Sequence, residues 1–532
     1  MKALKPLVIS GREVLPLVEG GKGISVSNGE SSGAWAAAGG VGTFSGVNAD
    51  SFDENGKEIP QIYYGKTRRE RHEELVAYSI RGGIQQARIA HEVSNGESSG
   101  AWAACGGVGT FSGVNADSFD EHGHKNPQLY YGRTRRERHE ELVQFSIAGG
   151  IHQARMAYER ANGLGRIHMN ILWEMAAAER ILNGVLEGAK GLIHGVTCGA
   201  GMPYKIAEIC AEYGVYYYPI VSSARAFRAL WKRAYHKFSG LLGGVVYEDP
   251  WLAGGHNGLS NSEDPEKPEA PYPRVHELRQ QMREFGLDQT PIFMAGGVWR
   301  LDEWEDWIDN PELGPMAFQF GTRPLLTRES PISDAWKKRL LTLKPGDVYL
   351  NHFSPTGFYS SGVTNDFLKD LTHRSERQVA YTIEPVGEHS VAFAVGPRAR
   401  TVYLAAHDKE RAERWVAEGY TETMRTPDST LVFVTAASAE QIRIDQIDCM
   451  GCLSACGFSN WSQGESGTTG KKADPRSFCI QKTLQGISHS DEIDDNLMFA
   501  GHNAYRFGSD PFYANGNVPT VGELIERLQT GA

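Results

Sequence analysis

The sequence predicts an α/β protein whose larger part is a (β/α)8 TIM barrel, followed by a C-terminal α+β unit and a cysteine-cluster segment. Three observations lead there. Short runs of β character alternate with helical segments through residues 1–345. Several of these runs end in glycine or small polar residues, as barrel strands do where they meet a ligand. Past about Lys344 the alternation gives way to closely spaced β runs.

The β runs are PLVEG from Pro16, VGTF, IHMNIL from Ile167, GLIHGVT from Gly191, VYYYPIV from Val215, LLGGVVYE from Leu241, PIFMAGG from Pro291 and MAFQFGT from Met316. Helical segments such as AAAERILNGVLEGA, KIAEICAEYG and RAFRALWKRAYHKF lie between them. Their apolar residues recur at helical spacing and mark a buried face.

The VGTF run occurs twice. SNGESSGAWAAAGGVGTFSGVNADSFDE starts at Ser27, and the same string with Cys105 in place of Ala38 starts at Ser94, 67 residues later. The repeated segments are 26–92 and 93–159, each with its own helical face, Val76/Ile80/Ile84 and Val143/Ile147/Ile151. Two copies this similar indicate a recent tandem duplication or an error in assembling the sequence, because stacked repeat folds need about three units or more. A second VGTF is a ninth strand, so one copy is expected outside the eight-stranded wall.

At 532 residues the chain exceeds one ordinary core. The expected domains are the barrel at 1–345, a small α+β domain at 346–445, and the cysteine cluster with its tail at 446–532. The net charge of −11 argues against a nucleic-acid partner. No apolar run approaches the length that spans a bilayer, which argues against a membrane. No export signal opens the sequence, so cytoplasm is the expected location, and seven cysteines do not form a secreted disulfide framework.

The chemistry concentrates between Val245 and Thr322. His256 sits in AGGHNG, just after a β run, where an acid–base residue would meet a bound ligand; a pKa near neutrality would let it take a proton from a carbon acid. Gly296 and Gly297 in AGGV, and Gly321 and Thr322 in FGTR, end the last two strands, the usual phosphate site of a barrel, and Arg323 would add charge. Flavin mononucleotide or a phosphorylated substrate satisfies such a site, and no GxGxxG with a following acid marks a Rossmann domain.

With PLVEGGKGIS, AWAAAGGVGT, AGGHNG, IFMAGGV and AFQFGTRPLLTRES in view, the chain resembles the nitronate monooxygenase family, and shares most of these signatures with FMN-dependent enoyl reductases. The resemblance runs from about Pro16 to Ser330 with one repeat copy set aside. It implies FMN with its phosphate near Gly296, Gly297, Gly321 and Thr322, its ring near Gly20, Gly21 and Asn170, and Gly255 beside an active-site His256.

Cys449, Cys452 and Cys456 form C-x2-C-x3-C, and Cys479 follows. Three thiols in eight residues with a distant fourth suit a [4Fe–4S] cluster; zinc, which more often takes two separated pairs, is the alternative. Cys198, at the end of its β run, reads as a core residue rather than a flavin neighbour, and the TRRER run as a solvated helix start.

These features make the expected function FMN-dependent oxidation of a nitronate or similar carbon acid, with dioxygen or an electron donor as co-reactant and a homo-oligomer as one possible assembly. The alternatives are an FMN and iron–sulfur ene-reductase acting on an enoyl thioester-like C=C bond, and a non-catalytic redox sensor in which His256 is structural.

Overall fold

A computed structural model of the chain describes residues 4–19, 41–44, 108–112, 130–161 and 166–530, apart from 261, 329, 331, 397, 465, 466 and 490. It opens with a hairpin, β1 (Leu7–Ile9) and β2 (Arg12–Val14), that enters the lower end of a closed parallel barrel. The wall consists of β3 (Leu17–Glu19), β4 (Val41–Phe44), β5 (Val108–Ser112), β6 (Arg166–Leu172), β7 (Gly195–Gly199), β8 (Tyr216–Val221), β9 (Val245–Glu248), β11 (Ile292–Ala295) and β12 (Met316–Phe320). Each pairs with the next in parallel, and β12 returns to β3.

The wall therefore has nine strands rather than eight, and the expectation that one repeat copy lies outside it is corrected. Both VGTF runs are in the wall and pair with one another, Val41 opposite Val108 and Phe44 opposite Phe111. The reason lies in their identity. Nothing in the sequence distinguishes one copy as strand and the other as loop, and a parallel strand offers a hydrogen-bonding edge on each side. A barrel's girth grows with strand number, so closure accommodates the extra member.

Side chains alternate across this wall. Ile167, Met169, Ile171, Val196, Tyr217, Tyr247, Met294 and Phe318 belong to the layer between strands and helices. Cys198 is there too, fully buried away from the lumen, as a core residue should be. The helix Ala224–Arg233 shows how the outer ring forms. Ser223 caps it by accepting a hydrogen bond from the Ala226 N–H at 3.2 Å, and Phe227, Leu230 and Trp231 recur on the buried face. Lys232 and Arg233 sit at its negative C-terminal end.

Tyr218, Val246, Phe293, Ala295 and Ala317 fill the lumen with Ile9 of the hairpin. The hairpin turn seals the bottom: the Ser10 N–H donates to the Tyr218 hydroxyl at 2.7 Å, its hydroxyl bonds both Tyr218 and His168, and Arg166 donates to its carbonyl. Only the strand C-terminal end is left to receive a ligand.

Segments C-terminal to the last wall strands cover that open end. The short strand β10 (Gly255–His256) joins β13 (Val348–Asn351) and β14 (Ser360–Val363) in an antiparallel sheet. Residues 378–447 form β15 (Gln378–Ala380), β16 (Val391–Val395), β17 (Arg400–Leu404), β18 (Glu422–Arg425) and β19 (Thr430–Val434) with helices Ala406–Ala417 and Ala436–Ile447. Cysteine-bearing and tail segments then return to the barrel, where Leu524 and Leu528 of the last helix join the main core.

Candidate active site at the barrel mouth

Strand parity decides which side chains face the mouth. Because Tyr218, Val246, Phe293 and Ala317 point inward, so do the residues two further along: Ile220, Glu248, Ala295 and Gln319. His168 is inward by its bond to Ser10, which sets Asn170 inward as well, and Thr197 lies opposite Asn170 on β7. The register aligns Glu248, Ala295 and Gln319 across three adjacent strands. Asn170, Thr197, Ile220, Glu248 and Gln319 are each partly exposed where their neighbours on the same strands are buried. Among the described residues the side chains of Asn170, Thr197, Glu248 and Gln319 take no hydrogen bond from the protein. Among the described residues, four unpartnered polar groups thus line the open end, above the lumen side chains Tyr218, Val246, Phe293 and Ala317.

Glu248 is the member with titratable chemistry. Burial pushes its carboxyl up to about 8, and the neighbouring Asp249 adds to the rise. At neutral pH it is therefore mostly a carboxylic acid, able to donate. Asp249 is structural: one oxygen accepts from the Trp251 and Leu252 N–H groups at 3.0 and 2.8 Å, which folds the loop leading to His256.

His256 is held by contacts from several segments. It pairs with Ser360 across β10 and β14, Asn257 N–H donates to the Tyr359 carbonyl at 3.1 Å, and its Nε2 lies 2.6 Å from the Ser354 hydroxyl. The Phe499 ring stands edge-on to the imidazole at 5.3 Å. Burial lowers its pKa to about 4, which corrects the expectation of a value near neutrality. Enclosure by Ser354 and Phe499 removes the water that would solvate an imidazolium. Gly255 beside it has φ +72 and leaves ordinary contact distance to Phe499.

The glycines of the expected phosphate site differ among themselves. A side chain on Gly321 would meet nothing within 4 Å, so its backbone borders open space. Gly296 and Gly297 have φ +87 and +78, and a Cβ there would press on Ala253 and Leu252. They serve close packing of the loop before His256. Thr322 Oγ1 accepts the Gly501 N–H at 2.9 Å and keeps its own proton to donate. Arg323 does not supply charge to this site: it is buried, bonds the Tyr513 hydroxyl at 3.0 Å and the Trp299 carbonyl at 2.9 Å, and stands 3.8 Å from Asp510. A guanidinium enclosed by the returning tail finds its partners there. Gly20 and Gly21 lie outside the described residues.

The fit to a flavin rests on a sealed lumen floor, open space over Gly321, a free hydroxyl proton on Thr322 and an orphaned polar ring. The chain matches the nitronate monooxygenase family over residues 185–530.

It belongs to the nitronate monooxygenase family.

Membership makes the chain a flavin-dependent oxidoreductase on the barrel fold of that family, whose flavin is FMN. Similar solved structures include nitroalkane oxidase from Streptomyces ansochromogenes, at 14% identity over 99% of this chain and 95% of that one, with a TM-score of 0.43. FabK from Thermotoga maritima is 14% identical over 71% of this chain and 80% of that one, with a TM-score of 0.38. The enoyl reductase domain of MlnA from the macrolactin biosynthesis cluster of Bacillus amyloliquefaciens is 12% identical over 82% and 91%, with a TM-score of 0.44. No curated protein matches the chain. Among the described residues no helix is long and apolar enough to cross a membrane.

The four cysteines of the expected metal site gather in one region. Cys449 and Cys456 share a thiol hydrogen bond, and Cys452 lies near Cys449 and Cys479. Among the described residues, however, no three His, Cys, Asp or Glu side chains converge as they must to hold a single ion. Neither the expected [4Fe–4S] cluster nor its zinc alternative finds support among the described residues. The TRRER run of the second copy is also more than a solvated helix start. Arg135 donates to the carbonyls of Ser459 and Gln446 at 2.9 and 2.5 Å, and Arg138 reaches those of Ile447 and Cys449.

Sequence reasoning missed Glu248, Thr197, Gln319 and Ser354. A period-two count outward from the lumen would have found the first three; Ser354, almost a hundred residues from His256, leaves no local signal.

Proposed function

We propose that the barrel mouth oxidises a nitronate or a similar carbon acid, with FMN held over Gly321 and Thr322 and the substrate against the ring of Asn170, Thr197, Glu248 and Gln319. The observation that carries this reading is the orphaned polar ring, with a protonated carboxyl in it, in a member of this family. Bound FMN would supply the electron acceptor.

The residues divide the remaining work. A nitronate is an anion whose charge rests on two oxygens, and Glu248 in its acid form offers an O–H to one of them. Asn170, Thr197 and Gln319 offer further donors without a fixed positive charge. Such preorganised donors in a water-poor site are worth more than in solution. His256, neutral at working pH, is oriented through Nε2 by Ser354, so its exchange with substrate runs through Nδ1. With so low a pKa it suits a hydrogen-bonding and transient proton-accepting role better than storage of a proton. Phe499 and the β13–β14 sheet keep water from this side.

A protonated Glu248 would equally serve an ene-reductase, which must also deliver a proton to carbon. The two readings part on the electron donor. Oxygen uptake by the purified chain with a secondary nitronate, and none with NADPH plus an enoyl thioester, is the expected result. NADPH oxidation that depends on the thioester, without nitronate turnover, would overturn nitronate oxidation in favour of reduction.

A further inference from the structure

We infer that the tail segment 500–503 completes the phosphate end of the flavin site, with Gly501 and Asn503 as positioning residues that aim the Thr322 hydroxyl and fix the Gly297–Val298 peptide. The inference rests on the reading above that holds FMN over Gly321 and Thr322.

Segments distant in sequence meet at this tail. The His502 N–H donates to the Leu252 carbonyl at 3.1 Å, and the His502 Nε2 lies 3.2 Å from the Ser361 hydroxyl. Ser361 pairs with Gly255 across β14 and β10, so the same contact steadies the His256 loop. Asn503 Nδ2 donates to the Gly297 carbonyl at 2.6 Å, and the Gly501 N–H donates to Thr322 Oγ1 at 2.9 Å. Three successive tail residues thus reach the loops after β9, β11 and β12. The last two of these are where a barrel usually takes a phosphate.

Two glycines let the tail come this close. Gly501 has φ −74, a value open to any residue, so its missing side chain serves approach rather than conformation. A Cβ there would stand 2.8 Å from the Leu252 carbonyl oxygen and 3.0 Å from Thr322 Oγ1. On the facing loop, a Cβ on Gly254 would come within 2.5 Å of the Ala500 backbone. Backbone packs on backbone here, and a backbone N–H rather than a flexible side chain sets the Thr322 hydroxyl.

What the tail fixes is a set of donors without acceptors. Thr322 Oγ1 takes the Gly501 N–H on a lone pair, which leaves the hydroxyl proton for a ligand. Among the described residues the N–H groups of Gly297, Val298, Gly321 and Thr322 donate to no protein acceptor. Asn503 holds the Gly297 carbonyl, and in a trans peptide the Val298 N–H points to the opposite side. Arg323 is engaged by Tyr513, Trp299 and Asp510. The phosphate is therefore left to neutral donors, and their aim decides how well it is held.

The test compares FMN with riboflavin, which has the same ring and no phosphate. Each is titrated into the full-length chain after removal of its flavin and followed by flavin fluorescence. Asn503→Ala and Gly501→Ala should each weaken FMN about tenfold, the scale of one hydrogen bond to a charged group, and leave riboflavin within about twofold. Adding Thr322→Val to Gly501→Ala should cost little more than either change alone, because both act on one hydroxyl. Asn503→Ala, which removes only a side-chain amide, decides the matter if Gly501→Ala does not fold. Equal losses for the two flavins, or no loss for FMN, in a variant that melts with the unaltered chain overturn the inference. An unaltered chain that binds riboflavin as tightly as FMN overturns it while leaving flavin binding intact. One that binds neither overturns the flavin reading as well.

Discussion

Burial leaves both His256 and Glu248 uncharged at pH 7, one as a neutral imidazole and the other as a carboxylic acid, and each has a testable pH signature. If turnover uses the Glu248 proton, it falls as pH rises through about 8. Glu248→Gln, which stays neutral, should lose that limb while retaining substrate binding; an unchanged profile in the variant would remove Glu248 from the chemistry. For stability the signs are opposite. The His256 pKa is depressed, so its contribution is present above about 6.5 and is lost as pH falls towards about 4. The Glu248 pKa is raised, so its contribution is full below about 4.5 and is lost as pH rises towards about 8. Between pH 5 and pH 7 the two oppose one another, so thermal melts should show stability falling further, or rising less, from pH 5 to pH 7 in His256→Gln than in the unaltered chain. His256→Ala should slow turnover by about 10²-fold or more at constant flavin content, the scale of losing one positioned proton-transfer group. His256 was legible in the sequence because glycines frame it after a β run. Glu248 was not, since an acid in VVYEDP reads as the start of a loop until strand parity turns it inward.

Among the elements, the repeated strand carries the sharpest consequence. β4 pairs with β3 at Val18 and with β5 along its whole length, and both strands read VGTF. Deleting residues 26–92 would bring Val108 to the place of Val41, letting β3 meet β5 in the same register and close an eight-stranded wall. The shortened chain is expected to fold, bind FMN and melt at the same temperature or higher; aggregation or loss of flavin would show that the ninth strand is required. The alternation of strand and helix was readable because apolar periodicity is local. Whether a duplicated strand enters the wall was not, because closure depends on pairing partners far apart in sequence. The β10–β14 pairing that steadies His256, and the Arg135 bonds to the cysteine loop, are long-range in the same way.

Across the whole molecule, the barrel is left to receive a ligand at one end because the other end is closed by Ser10, His168 and Tyr218. The segments beyond the barrel enclose the open end: the β13–β14 sheet positions Ser354, residues 498–503 pack over the His256 and Thr322 loops, and the cysteine loop spans the side near β6. That enclosure explains why groups at the mouth are desolvated and why their charge states depart from those of free side chains. Nitronate oxidation at this mouth is tested most directly by an anaerobic titration of the purified full-length chain with a secondary nitronate, followed by visible absorption. Bound FMN whose oxidised absorption is bleached by the nitronate and not by NADPH is the predicted result. A chain without bound flavin, or flavin reduced by NADPH and untouched by the nitronate, would contradict it.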